Sequence, residues 1–278
     1  MTYLVDSHCH LHDREFFTAK QAEKMLENAH KNGVEKIICI GTSHEDSLKA
    51  RDFAAQHEGV YWTYGTHPGE AGREVAIPRL GVFRSAAARD IAPAARGDGP
   101  AGRDPERGID ASLVAIGEVG LDYHYEPYDR DAQIKLFEEM LQLATDLNLP
   151  VSFHIREAFK DFFPVAANFP KIKGVVHSFS DSKKTLRKIL ETTDFYVGVN
   201  GLSTYSTLPV PPLERILLET DAPFLTPEPF RGTINEPAYI KNISEFIATK
   251  MGVPEAKVAE ITTKNVRKLF QIWGSFLR

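Results

Sequence analysis

The chain predicts an α/β fold, a (β/α)8 TIM barrel of parallel strands spanning residues 1–278 as one domain. Three observations lead there. Short apolar runs rich in β-branched residues recur eight times, most of them separated by segments of helical period, and strand–helix alternation repeated this often calls for a parallel sheet. A chain of 278 residues, 42% of them hydrophobic, has the length and apolar content of one such barrel. No G-x-G-x-x-G follows the first run, which weakens the main alternative, a doubly wound sheet built around a nucleotide.

In chain order, the expected strands are Tyr3–Val5, Lys36–Ile40, Val60–Tyr64, Leu113–Ile116, Pro150–Phe153, Gly174–Val176, Phe195–Val199 and Arg215–Leu218. Thr18-Ala-Lys-Gln21 reads as a capping box. The helix it opens carries Ala22, Met25, Leu26 and Ala29 at helical spacing and stops at Gly33. Ser43 to Gln56 reads as a second helix. Ile134, Phe137, Leu141 and Ala144 form the apolar stripe of another, and Lys183–Leu190 follows a capping Asp181 or Ser182. Two helices are expected in the tail, near Pro237–Met251 and Pro254–Trp273.

The chemistry stands where the runs end. In the first, His8 and His10 are two apart, so on a strand they project from one face, an arrangement suited to a transition metal; Asp6 shares that face and is a candidate to orient a ring. The third run ends in Thr66-His67-Pro68, the fourth in Gly117-Glu118, the fifth in His154, the sixth in His177 and the eighth in Glu219-Thr220-Asp221. One histidine closing one strand is ordinary. Metal-type ligands closing five of eight runs are hard to explain by packing, because the C-terminal strand ends of a barrel converge on one mouth. His8, His10, Glu118, His154, His177 and Asp221 are therefore expected around one cavity. Six N/O ligands with one carboxylate able to bridge suit two divalent ions about 3.5–4 Å apart.

Composition bounds what such a site acts on. The net charge of −5 argues against broad attraction to nucleic acid, but not against a local site whose ions supply positive charge. Cys9 and Cys39 lie in apolar runs, where packing is the default role, and the reducing cytoplasm is the expected location. No secretory signal pattern and no apolar run long enough to span a membrane is present. No obligate protein partner is evident, and a monomer is expected.

Asp6-Ser-His-Cys-His-Leu11, Gly65-Thr-His-Pro68, Ala115-Ile-Gly-Glu-Val-Gly-Leu-Asp-Tyr123, His154, His177-Ser-Phe and Glu219-Thr-Asp-Ala-Pro223, in this order, resemble the TatD family of metal-dependent deoxyribonucleases within the amidohydrolase-like barrels. The resemblance extends to Thr263–Phe270. It implies cleavage of DNA phosphodiester bonds, often from the 3′ end, with magnesium, manganese or zinc. It implies one metal on His8, His10, Glu118 and Asp221, and a second on Glu118, His154 and His177. Independently, two cations would bind phosphate oxygens and lower the pKa of bound water toward ~7, with Asp221 orienting that water or taking its proton. Glu219, on the face of Asp221, is a second acid–base group or an orienting partner. His67 and Arg156 are candidate substrate contacts, weighed against a turn role before Pro68 and an ion pair with Glu157.

Two stretches depart from the family pattern. Residues 78–112 carry six arginines, no lysine and Gly97-Asp-Gly-Pro-Ala-Gly102, and read as a flexible insertion that proteolysis would nick first. Prolines 209, 211 and 212 stand where the seventh helix belongs and forbid a normal helix interior, so that helix is expected to be shortened or missing. Three functions fit the sequence: a dinuclear nuclease, a related hydrolase of another ester or amide such as an aminoacyl-tRNA ester, and a non-enzymatic metal-binding protein. The absence of a lysine near Glu118 favours the carboxylate-bridged nuclease over relatives that bridge with carboxylated lysine. The intact ligand set argues against the third reading.

Overall fold

A computed structural model describes residues 3–73 and 110–272. The expected insertion at 78–112 lies outside these residues except for Asp110–Ser112. Eight parallel strands follow one another in sequence order around a nearly closed barrel: β1 Leu4–Cys9, β2 Val34–Cys39, β3 Val60–Tyr64, β4 Leu113–Asp122, β5 Val151–Arg156, β6 Gly174–Val176, β7 Tyr196–Val199 and β8 Ile216–Leu218. Beyond β8 the chain meets β1 again. Asp221 donates its backbone N–H to the His8 carbonyl and His10 to that of Ala222, each at 2.8 Å. Asp6 reinforces this seam from inside. Its carboxylate accepts the backbone N–H of Thr220 and that residue's hydroxyl, and it also takes the backbone N–H of His8 at 3.3 Å. Asp6 thus holds backbone, not the imidazole that its position on the face of His8 suggested.

The helices fall where apolar spacing put them. α1 (Ala19–Lys31) carries the Thr18–Gln21 capping box and buries Ala22, Leu26 and Ala29, and α2 (His44–Gln56) is capped by Ser43. α3 (Arg130–Leu147) buries an unbroken stripe including Phe137, Leu141 and Ala144. α4 (Phe159–Ala167) has no counterpart among the expected elements, because Pro164 interrupts a short aromatic run that lacks a side-chain cap. Burial makes it a helix: Phe162 is fully buried and packs at 5.3 Å from Phe153 and 6.1 Å from Phe195. α5 spans Lys183–Thr192. The seventh helix, here α6, is one turn, Leu202–Tyr205, and the proline-rich stretch after it reaches β8 through a 3-10 turn at Leu213–Arg215.

α7 (Ile240–Met251) and α8 (Glu255–Phe270) complete the fold. Val266, Leu269 and Phe270 of α8 join a buried cluster with Val5, Ile38, Val114, Val175 and Leu217. Thr263 donates to the Tyr3 carbonyl, and Asn265 donates to the carbonyls of Leu213 and Ile216. These partners lie at the starts of β1 and β8, so α8 is fastened to the end of the barrel opposite the ligands. Among the described residues no helix is long and apolar enough to cross a membrane.

Candidate metal centre

The strands outrun their apolar segments. β1 continues through His8 to Cys9, β4 through Glu118 to Asp122, and β5 through His154 to Arg156. Their polar ends are buried like the rest: His8, His10, Glu118, His177 and Asp221 are each less than a tenth exposed. Asp221, just past β8, has a left-handed backbone (φ +58°), a conformation that aspartate tolerates better than most residues. All six expected ligands meet in one cavity region. His10, His67, Glu118, His177 and Asp221 line a cavity of about 600 Å³.

The donors form two groups. In the first, His8 Nε2 and His10 Nε2 lie 3.5 and 3.6 Å from Asp221 Oδ1, and 3.6 and 3.9 Å from Glu118 Oε2. Donors about 2.0–2.2 Å from a tetrahedral ion stand roughly 3.4 Å from one another, so this spacing suits a cation at the centre. The ring protons agree. The Ile40 carbonyl can only accept, so the proton of neutral His10 sits on Nδ1, which donates to it at 3.1 Å, and the Nε2 lone pair faces the centre. His8 Nε2 is buried with no hydrogen-bond partner, an orphan that a metal would satisfy.

The second group gathers on the other oxygen of the same carboxylate. Glu118 Oε1 lies 2.6 Å from His154 Nδ1 and 2.7 Å from His177 Nε2, with 3.2 Å between the two nitrogens. These are hydrogen-bond separations, and a cation would open the triad by several tenths of an ångström. Behind the rings stand two more carboxylates. His154 Nε2 donates to Asp122 Oδ2 at 3.0 Å, the carboxylate–histidine pairing that orients a ligating ring. His177 Nδ1 faces Glu219 Oε1 at 3.8 Å.

Electrostatics follow from this packing. Burial opposes the charge on Glu118, but His177 and His154 outweigh it and hold the carboxyl well below its usual range. Burial likewise opposes the charge on His177, yet Glu118 raises it to about 9. His8 is pushed down to about 4 by burial and by His177. Glu219, fully buried, is pushed up to about 8 by desolvation, against the pull of His177. It accepts the Ser178 backbone N–H at 2.6 Å and fills the space where a Cβ on Gly198 would sit 2.3 Å from its carboxylate oxygen.

The remaining candidates separate. The ring of His67 lies 4.4 Å from that of His154, and its Nδ1 accepts the Gly69 backbone N–H at 3.0 Å. That bond places the proton of the neutral ring on Nε2. His67, Asp122 and His154 also cluster like metal ligands, but the Asp122 carboxylate already accepts from His154 Nε2. Arg156 does not line the cavity; its guanidinium stacks 5.0 Å from the centre of the Tyr125 ring and donates to its hydroxyl at 3.2 Å. Asp122 escaped the sequence reading, although alternation from Glu118 through Gly120 puts it on the ligand face.

The family described as TatD related DNase matches residues 5–271, and the chain belongs to it. The chain is 30% identical to the uncharacterized metal-dependent hydrolase YabD of Bacillus subtilis (strain 168), over 97% of this chain and 99% of that one. It is also 30% identical to a 3'-5' ssDNA/RNA exonuclease TatD of Rahnella sp. (strain Y9602), over 91% and 93% of the two chains. Among solved structures, the TatD homolog YJJV of Escherichia coli K12 superposes with a TM-score of 0.78 at 26% identity, covering 97% of this chain and 98% of that one. The protein is a TatD-family metal-dependent hydrolase on a TIM barrel.

Proposed function

We propose that this protein is a divalent-metal-dependent deoxyribonuclease that hydrolyses DNA phosphodiester bonds with two ions, magnesium, manganese or zinc. The observation that carries the reading is the division of one carboxylate: Glu118 turns Oε2 to His8, His10 and Asp221 and Oε1 to His154 and His177. His8, His10, Glu118 and Asp221 would hold one ion, and Glu118, His154 and His177 the other. When bound, such a pair neutralises phosphate and acidifies water.

The chain's own residues supply the rest. Asp221, held below its ordinary carboxyl range by His10, His8 and His177 despite its burial, is charged and able to orient the attacking water and accept its proton. His67 lines the cavity and, with Nδ1 accepting from Gly69, offers its Nε2–H as a neutral donor for a phosphate oxygen. Arg156, stacked on Tyr125 outside the cavity lining, is a contact for a phosphate farther along the strand. Glu219 has no route to substrate from its buried position, so of its two expected roles that of orienting partner behind His177 is favoured. The name of the Rahnella relative supports a nucleic-acid substrate.

Labelled single- and double-stranded DNA, incubated with purified protein and Mg²⁺ or Mn²⁺ beside an aminoacyl ester, tests the reading. DNA cleavage abolished by EDTA is expected. Ester hydrolysis with intact DNA would overturn it.

A further inference from the structure

Two phenylalanines stand at the lip of the cavity. Phe16 and Phe224 are 44% and 46% exposed, yet both line the cavity. Their rings meet edge to face at 5.2 Å, and the Phe224 ring lies 6.3 Å from that of His10. Among the described residues most large apolar side chains are buried, so an exposed aromatic pair beside the candidate ligands needs an explanation that packing does not give. Phe224 is three residues past Asp221, and its place next to His10 sets an aromatic surface one nucleoside away from a phosphate held at the donor groups.

The charge around the pair narrows its occupant. The lining also carries Asp13, Glu15, Glu45, Asp46 and Glu70. Among the described residues the single lysine or arginine in the lining is Lys49, which is already paired with Glu45 at 2.9 Å. Among the described residues, Lys49, His12 and Arg73 are already held by Glu45, Asp46 and Glu70, so a further phosphate here would meet carboxylates before it met an uncommitted cation. A flat, uncharged ring attached to the bound phosphate meets no such cost, and stacks on aromatic side chains whatever its identity.

We propose that Phe16 and Phe224 form a base-binding subsite, taking the nucleobase attached to the phosphate held at the metal centre. This deepens the nuclease reading and rests on it. The pair fixes which nucleoside is presented, and the acidic lip makes that nucleoside the terminal one on its side of the scissile bond. Stacking is indifferent to base identity, so the subsite selects for a base being present, not for its sequence.

Calorimetric titration of the Mn²⁺-loaded full chain with thymidine 5′-monophosphate and with inorganic phosphate tests the subsite directly. In the wild type the nucleotide is expected to bind roughly 10-fold or more tightly than phosphate, as one stacked base permits. Phe224→Ala and Phe16→Ala should each bring that ratio toward one, and Phe224→Tyr, which keeps the ring and the fold, should restore it. A ratio near one in the wild type, or an unchanged ratio in both alanine variants, overturns the proposal. Single-stranded oligonucleotides ending in a normal or an abasic residue, assayed for cleavage in parallel, separate the two readings. Intact DNA with the expected binding ratios would overturn the nuclease assignment and leave the subsite standing. Cleaved DNA with unaltered ratios would do the reverse.

Discussion

The two halves of the candidate metal centre use the same kinds of side chain and differ in what stands behind them. On the seam between β1 and β8, His10 leans on a neutral backbone carbonyl and His8 on the Ser152 hydroxyl, 3.5 Å away. Across the cavity, His154 leans on the Asp122 carboxylate, and His177 faces the Glu219 carboxyl, which burial pushes up to about 8. The first half stands open at cation spacing, whereas the second has closed on Glu118 at hydrogen-bonding distance. A carboxylate behind an imidazole raises its basicity and fixes its orientation. The difference teaches that the two groups would not be equivalent toward metal: the seam group is spaced for a cation in advance, and across the cavity the Asp122 carboxylate would make His154 the more basic ligand.

Substitutions that strike both halves, one half or neither put this contrast to the test. Glu118→Gln touches both and should be the most damaging single change, with nuclease activity falling on the order of 10³-fold. Wild-type turnover by that variant, measured on single-stranded DNA with Mn²⁺, would remove the two-ion reading altogether. Asp221→Asn strikes the seam half and the proton acceptor together, and a loss of roughly 10²-fold in kcat is expected. If KM rose while kcat held, Asp221 would be a binding group only.

Asp122→Asn sharpens the contrast because it leaves every ligand in place. Manganese titration should show one class of site weakened by roughly 10- to 100-fold and the other unchanged. Equal weakening of both classes would mean that the halves act as a unit. The mildest effects should come from outside the ligand set. His67→Ala is expected to raise KM several-fold with kcat nearly kept. Arg156→Ala should raise KM modestly at low salt and less at high salt, where the lost contact is already screened; an effect on kcat instead would move Arg156 from substrate grip to chemistry.

Much of this was legible in the sequence because a barrel turns a one-dimensional pattern into a place. Ligand-type residues recurring at the ends of apolar runs had one physical meaning once the runs were parallel strands, and all six candidates meet as that pattern required. The shortened seventh helix was legible for the same kind of local reason, since Pro209, Pro211 and Pro212 cannot sit in a helix interior. Where the reading fell short, the cause was tertiary. Apolarity marks β4 only as far as Ile116, whereas pairing with β5 carries the strand on to Asp122. α4 was hidden by Pro164 and revealed only by the aromatic partners that bury it. Asp6 alternates onto the face of His8, but the groups it satisfies belong to Thr220, on the far side of the chain.

That last contact has a mechanical consequence. The seam joins the chain's opening strand to the segment after its final one through a few backbone bonds and the Asp6 carboxylate. An ion gripped by His8, His10 and Asp221 would rivet the same two segments from the cavity side. Such a rivet closes the chain from residue 8 to residue 221 into one long loop, and longer loops lose more freedom on cross-linking in the unfolded chain. Metal would then act as a clasp on the barrel as well as an agent of chemistry, and stripping it would first loosen the strand that carries two of its own ligands.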